Sequence, residues 1–291
     1  MKKKIISVFV GIAGLVAVYF VASGISHIIY NRPVDNTSTE AEAESTEQGT
    51  EEAKSAMTED EINAMLAGMK TTETAETETA AEEQSEVIPV KFEELQAVNP
   101  DVYAWITVPG TDIDYPILQH ASDNTYYLMH NIDGSYGYPG CIYTENMNSK
   151  DFTDNNTVIY GHNMKNGSMF AQLHKYEDPD FFDANREVLI YLPGEVLHYT
   201  IFAAHIYDDR HLLYSFDFTD PEVYQKYLDS IFSTRDMNAN IDKDITVTTD
   251  DQIITLVTCI GSQPNNRLLV QAVLTDREPG TEAAREEAAA E

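Results

Sequence analysis

The sequence predicts a mostly β domain, an antiparallel barrel or sandwich with one helix set among its strands. Six short runs rich in β-branched and aromatic residues lie between residues 157 and 274, divided by turn residues. Between the third and fourth runs, one segment repeats its apolar residues at helical rather than alternating spacing. A length of 291 residues allows one domain of ordinary size plus extensions.

At the N-terminus, Met1-Lys2-Lys3-Lys4 precedes an uncharged apolar run from Ile5 to Ser26. Its 22 residues reach roughly 33 Å as a helix, enough for a hydrocarbon core of about 30 Å. Residues 1–30 therefore read as a single-pass signal anchor with its lysines inside, which places the remainder outside the cytoplasm. Val21-Ala22-Ser23 resembles a cleavage site, so a cleaved signal peptide is the second reading. Residues 31–87 are Glu, Thr, Ala and Ser with few aromatics and read as an acidic flexible spacer. Within it, Thr58 to Glu61 has capping-box spacing, and Ile62, Met65, Leu66 and Met69 follow at helical spacing. A transient helix in a tether is expected there. Eighteen Lys and Arg against 49 Asp and Glu give a net charge of −31, a field that repels phosphate backbones and excludes nucleic acid as a partner.

The folded domain is expected over residues 88–276, opening with a short helix from Phe92 to Val98 that ends before Asn99-Pro100. Strands follow at 157–162, 187–192 and 198–207. Thr219 or Asp220 caps the helix that comes next, Pro221 suits its first turn, and Val223, Tyr224, Tyr227, Leu228, Ile231 and Phe232 make its apolar face. Strands at 244–249, 252–259 and 267–274 complete the domain, and residues 277–291 read as an acidic, disordered tail.

The candidate chemistry lies where two of these strands meet. Cys259 ends one strand and Arg267 begins the next, so in an antiparallel pair the thiol and the guanidinium share one rim. A guanidinium stabilises a thiolate or donates to a carbonyl oxygen under attack. Of eight histidines, His162 stands at the end of the strand Val158-Ile159-Tyr160, in the position of a proton acceptor for a cysteine nucleophile. No His/Cys cluster has the spacing of a structural zinc site, so no metal and no cofactor is expected. The other role open to Cys259 is a disulfide with Cys141, the only other cysteine.

The stretch TLVTC with Arg267 eight residues on resembles the signature of the sortases, and DNTVIYGHNM with GSMFAQL resembles their histidine segment. NPDVYAWITVPGTDIDYPILQ, residues 99–119, is similar to the start of their barrel, and the helix from about Asp220 to Thr234 resembles the insertion of class B members. The resemblance implies a closed eight-stranded β-barrel with a short N-terminal helix and an inserted helix before the last two strands. It implies a transpeptidase that cleaves sorting-signal peptides of surface proteins after Thr and passes them to an amine of peptidoglycan or its precursor. Cys259 would be the nucleophile, His162 the proton donor and acceptor, Arg267 the holder of the substrate carbonyl, and Thr258 a substrate-binding residue. Some class B members carry an acid shortly after the cysteine; here Ile260-Gly261-Ser262 follows, so the mechanism would rest on Cys, His and Arg.

Three alternatives stay open. A pilin-polymerising sortase would join the same intermediate to a lysine of another subunit. A papain-like hydrolase places its cysteine before its histidine, opposite to the order here. An anchored β-barrel binding module would use Cys259 structurally.

Overall fold

The structure, a computed structural model, describes residues 57–70 and 86–282. Its organising element is the last strand, because that strand is paired along both of its edges. In chain order the strands are β1 (Glu86–Ile88), β2 (Val102–Val108), β3 (Ile113–Leu118), β4 (Ile142–Thr144) and β5 (Asn156–Tyr160). They continue with β6 (Glu187–Leu192), β7 (Glu195–Asp208), β8 (Asn240–Ile241), β9 (Ile253–Ile260) and β10 (Gln263–Glu282). The sheet runs β10-β9-β5-β4-β3-β2-β6-β7, and β7 pairs again with β10, which closes an eight-stranded barrel. β1 and β8 add short pairings to β10 and β7. Closure satisfies the edge hydrogen bonds that an open sheet would expose.

Alternation along the strands divides the apolar side chains into layers. Ile106, Ile117, Ile159, Ile190, Leu256, Leu268 and Val270 point inward and form the barrel core. The outer face of β5, β9, β10 and β7 carries Val158, Val257, Leu269, Phe202 and Val273, which are covered by α5 (Pro221–Phe232), the helix after the short α3 (Pro179–Ala184) and α4 (Leu212–Ser215), through Tyr224, Tyr227, Leu228 and Ile231. Asp220 caps α5 by accepting from the amides of Glu222 and Val223, and Pro221 occupies the first turn as expected. Beneath it, His205 Nε2 donates to Gln271 Oε1 at 3.0 Å and Gln271 Nε2 donates to Tyr227 Oη at 2.8 Å. This buried polar network fixes the helix on the sheet.

A second outer layer covers Trp105, Leu118, Tyr143 and Tyr191 with α2 (Phe92–Val98) and with α1 (Glu59–Gly68). The capping box of α1 is formed as the sequence predicts. The helix is not a transient one in a tether, however: Ile62 and Leu66 are buried in this layer. Lys70 bonds Asp114 at 2.5 Å, and Lys70 bridges Val90. The apolar stripe has found a complementary surface, which supplies what an isolated ten-residue helix lacks.

Two further expectations change. Residues 244–249 form no strand, because their neighbouring acids capture the backbone instead: Asp242 accepts from the amide of Asp244 and Asp251 from that of Thr248. β10 runs past residue 276 to Glu282, since the long β7 offers partners as far as Glu195 and β1 pairs with Gly280 to Glu282. Gly280 permits that approach, as a Cβ there would lie 2.6 Å from Ile88. The expected anchor, most of the spacer and the end of the tail lie outside the described residues. Among the described residues no helix is long and apolar enough to cross a membrane.

Truncating Leu66 to Ala is expected to cost about 2 kcal/mol of the docking of α1. Amide exchange over residues 59–68 should quicken at least tenfold while β9 and β10 stay protected; unchanged exchange would contradict the docked helix.

Candidate active site

The registers place Cys259 and Arg267 in adjacent columns of one outer row, and His162 follows the end of the neighbouring β5. On the row below, Tyr143 faces Tyr160, Tyr160 faces Val257, Val257 faces Leu269, and Leu269 faces His205. Two residues further on, Cys259 faces Arg267, which in turn faces Tyr207. His162 lies two residues beyond Tyr160 on the β5 side. Because side chains repeat every second residue, Cys259 and Arg267 share the outer face with Val257 and Leu269, and β5 delivers His162 beside them.

Cys259 is the one exposed position of β9. The stretch between Cys259 and Arg267 is largely paired: Ile260 pairs with Gln263 across Gly261-Ser262, and an irregularity then spans the residues before Arg267. That bulge turns the Pro264 and Asn266 carbonyls toward Arg267, whose Nη1 donates to both at 2.9 Å. The guanidinium is thereby held at the rim opposite the thiol.

His162 is half-buried, with the Tyr138 ring 5.1 Å from its own. Nε2 lies 2.7 Å from the carbonyl oxygen of Leu128. A carbonyl only accepts, so Nε2 carries the hydrogen and Nδ1 is the basic nitrogen of the neutral ring. Burial holds the imidazole below the usual histidine range, against a smaller opposing effect of the Leu128 bond. The main chain of residues 126–128, a 3₁₀ turn, thus orients the ring in the absence of an acid after Cys259.

Thr258 is buried, and its hydroxyl donates to the Gly161 carbonyl at 2.9 Å, which joins β9 to the end of β5. The disulfide alternative is excluded, since both cysteines are free thiols and Cys141 is buried with its Sγ bonded to the His130 carbonyl. Burial pushes the Cys141 thiol up, away from reactivity. Among the described residues no group of His, Cys, Asp or Glu is arranged to hold a metal ion.

Residues that sequence reading passed over also meet here. Asn163 Nδ2 donates to the Cys259 carbonyl at 2.9 Å, and His174 Nε2 lies 3.1 Å from the same oxygen. His174 carries only the faint signal of a histidine after the segment GSMFAQL. The Leu128 carbonyl carries none, because any residue supplies a carbonyl.

An exposed cysteine opposite Arg267 near the end of β9, a histidine just past the end of the neighbouring β5 and a helix inserted ahead of the last two long strands are the arrangement expected of a cysteine transpeptidase. The sortase domain model matches residues 106–275. Sortase B of Listeria monocytogenes is 36% identical over 191 residues, covering 64% of this chain and 75% of that protein. The crystal structure of Clostridium perfringens sortase B superposes with a TM-score of 0.58 at 34% identity, covering 64% of this chain and all of that one. A Staphylococcus aureus sortase B–substrate complex superposes with a TM-score of 0.55 at 27% identity, covering 64% and 84% of the two chains. The chain belongs to the sortase family and is class B-like. It is a sortase transpeptidase that acts on surface proteins.

Gly161 admits no side chain, since a Cβ there would lie 2.5 Å from Ile142 and 2.6 Å from Phe170. Gly161→Ala is expected to destabilise the fold by about 2 kcal/mol through overpacking. It should also lower turnover of the folded fraction at least tenfold by displacing His162, as checked by thermal melts paired with peptide-cleavage rates.

Proposed function

We propose that Cys259 is the nucleophile, His162 the proton carrier and Arg267 the donor to the substrate carbonyl in cleavage of a sorting signal after its Thr. The observation that carries this reading is the single exposed position of β9, directly opposite Arg267 and beside the end of β5. Neutral His162 accepts the thiol proton at Nδ1 as Sγ attacks the Thr carbonyl carbon. Arg267 donates to the oxygen that gains charge. Collapse of the tetrahedral adduct breaks the peptide bond, His162 returns the proton to the leaving amine, and a thioacyl enzyme remains. An incoming amine, of peptidoglycan or its precursor, gives a proton to His162 and displaces Cys259, forming a new amide.

Residues 5–26 are assigned as a single-pass anchor that keeps the catalytic domain on the outer side of the membrane, on the strength of their uncharged length and the preceding lysines. The acidic stretch between the anchor and α1 is assigned as the spacer. Resistance of the full chain to alkaline extraction from membranes, with the domain accessible to added protease, supports this placement; release by alkali overturns it.

Mass spectrometry of the full chain incubated with LPxTG-like and NPxTN-like peptides tests the chemistry. A cut after Thr with an acyl adduct on Cys259 is expected. Cys259→Ala should lose at least roughly 10⁴-fold, His162→Ala about 10²- to 10⁴-fold and Arg267→Ala about 10²- to 10³-fold. Full activity in Cys259→Ala would overturn the assignment.

The pH profile tests His162 separately. Its folded pKa is lowered by burial, so the neutral base persists below the ordinary histidine range and the acid limb of kcat/KM should lie below about pH 6.5. Tyr138→Ala exposes the ring, raises its pKa and should move that limb to higher pH. A limb that stays in place would show that Tyr138 does not bury the base.

A further inference from the structure

The carbonyl of Cys259 lies where a hydrogen-bond ladder runs out. β5 and β9 pair in parallel as far as Tyr160 and Val257, and the Gly161 amide then donates to the Val257 carbonyl at 3.1 Å. In a continued ladder, the amide of residue 163 would serve the Cys259 carbonyl. The backbone of Asn163 instead bridges to Met169. Its side chain takes the vacated position, and Nδ2 donates to the Cys259 oxygen at 2.9 Å.

That carboxamide is itself held. His174 Nε2 lies 3.0 Å from Asn163 Nδ2, and His174 Nδ1 lies 2.9 Å from Glu177 Oε2. The carboxylate only accepts, so Nδ1 carries a hydrogen. In the neutral ring, Nε2 then accepts the second Nδ2 hydrogen of Asn163. In the charged ring, Nε2 donates directly to the Cys259 carbonyl, 3.1 Å away. Both states retain the bond from Asn163 to Cys259.

We propose that Asn163 is a positioning residue for the nucleophile, with His174 and Glu177 steering its carboxamide. Cys259 stands next to last in β9, two residues before the Gly261-Ser262 turn, where strand ends fray. Bonding its carbonyl fixes the backbone from which Sγ projects. The 3₁₀ segment Phe170–Glu177, which carries His174 and Glu177, ties this anchor to the core through Phe170, Leu173 and Tyr176.

The inference rests on Cys259 being the nucleophile, and the experiment separates the two. Full-length chain is compared as wild type, Asn163→Ala, Asn163→Asp, His174→Ala, His174→Gln and Cys259→Ala. Readouts are kcat and KM on a cleaved peptide, the rate of Cys259 alkylation by iodoacetamide, and Tm. Asn163→Ala removes the donor, and Asn163→Asp keeps the shape but turns a carboxylate toward the Cys259 carbonyl. Asn163→Ala should lower kcat about tenfold, the loss of one hydrogen bond, Asn163→Asp at least as much, and both should slow alkylation, with KM changed less than twofold. His174→Ala should lower kcat about threefold, and His174→Gln, which keeps a donor, should recover most of it. Unchanged kcat and alkylation in Asn163→Asp with Cys259→Ala inactive would overturn the anchor alone. So would a loss that merely follows Tm. Turnover retained by Cys259→Ala would overturn the nucleophile assignment itself.

Discussion

The double pairing of β10 is the constraint on which the rest of this structure depends. One strand from Gln263 to Glu282 bonds β9 along one edge and β7 along the other, so the sheet has no open seam between its ends. Arg267 consequently faces Cys259 on one side and Tyr207 on the other. An open sheet would leave Arg267 at an edge, mobile and hydrated; in the closed barrel its backbone is fixed from both sides before its side chain makes any contact.

Closure also decides which face carries chemistry. The barrel interior is filled by aliphatic and aromatic side chains, so a reactive group has room only on the outside. Most of that outside is covered, by α5 on one flank and by α1 and α2 on another. Cys259 escapes because it lies near the end of β9; its row meets the α5 layer at Tyr207. The polar network of His205, Gln271 and Tyr227 keeps α5 in a single placement beside that row. A purely apolar contact would resist sliding less, since dispersion and hydrophobic burial have little directionality.

Main-chain carbonyls perform much of the orientation in the site. The Leu128 carbonyl selects the tautomer of His162, those of Pro264 and Asn266 hold Arg267, and that of Cys259 receives Asn163. This explains how the histidine is oriented although Ile260-Gly261-Ser262 follows the cysteine where some class B members have an acid. A neutral acceptor orients the ring without adding a negative charge that would raise the imidazole pKa.

Local pattern in the sequence sufficed wherever the interaction is local. The cap and apolar face of α5, the short helix Phe92–Val98, the strand Glu187–Leu192 and the hairpin that sets Cys259 against Arg267 were legible because neighbouring residues determine each of them. So was the family, through TLVTC, the His162 segment and Arg267. Tertiary structure decided what depends on distant partners. α1 became a docked helix because Trp105 and its neighbours offered a surface, and β10 lengthened because β1 and β7 were there to pair with it. Thr258 turned inward because alternation in β9, anchored by the barrel core, leaves Cys259 the outer position. Asn163, His174 and the Leu128 carbonyl entered the site through contacts 34 to 96 residues apart in the chain, a separation at which the sequence carries no periodic signal.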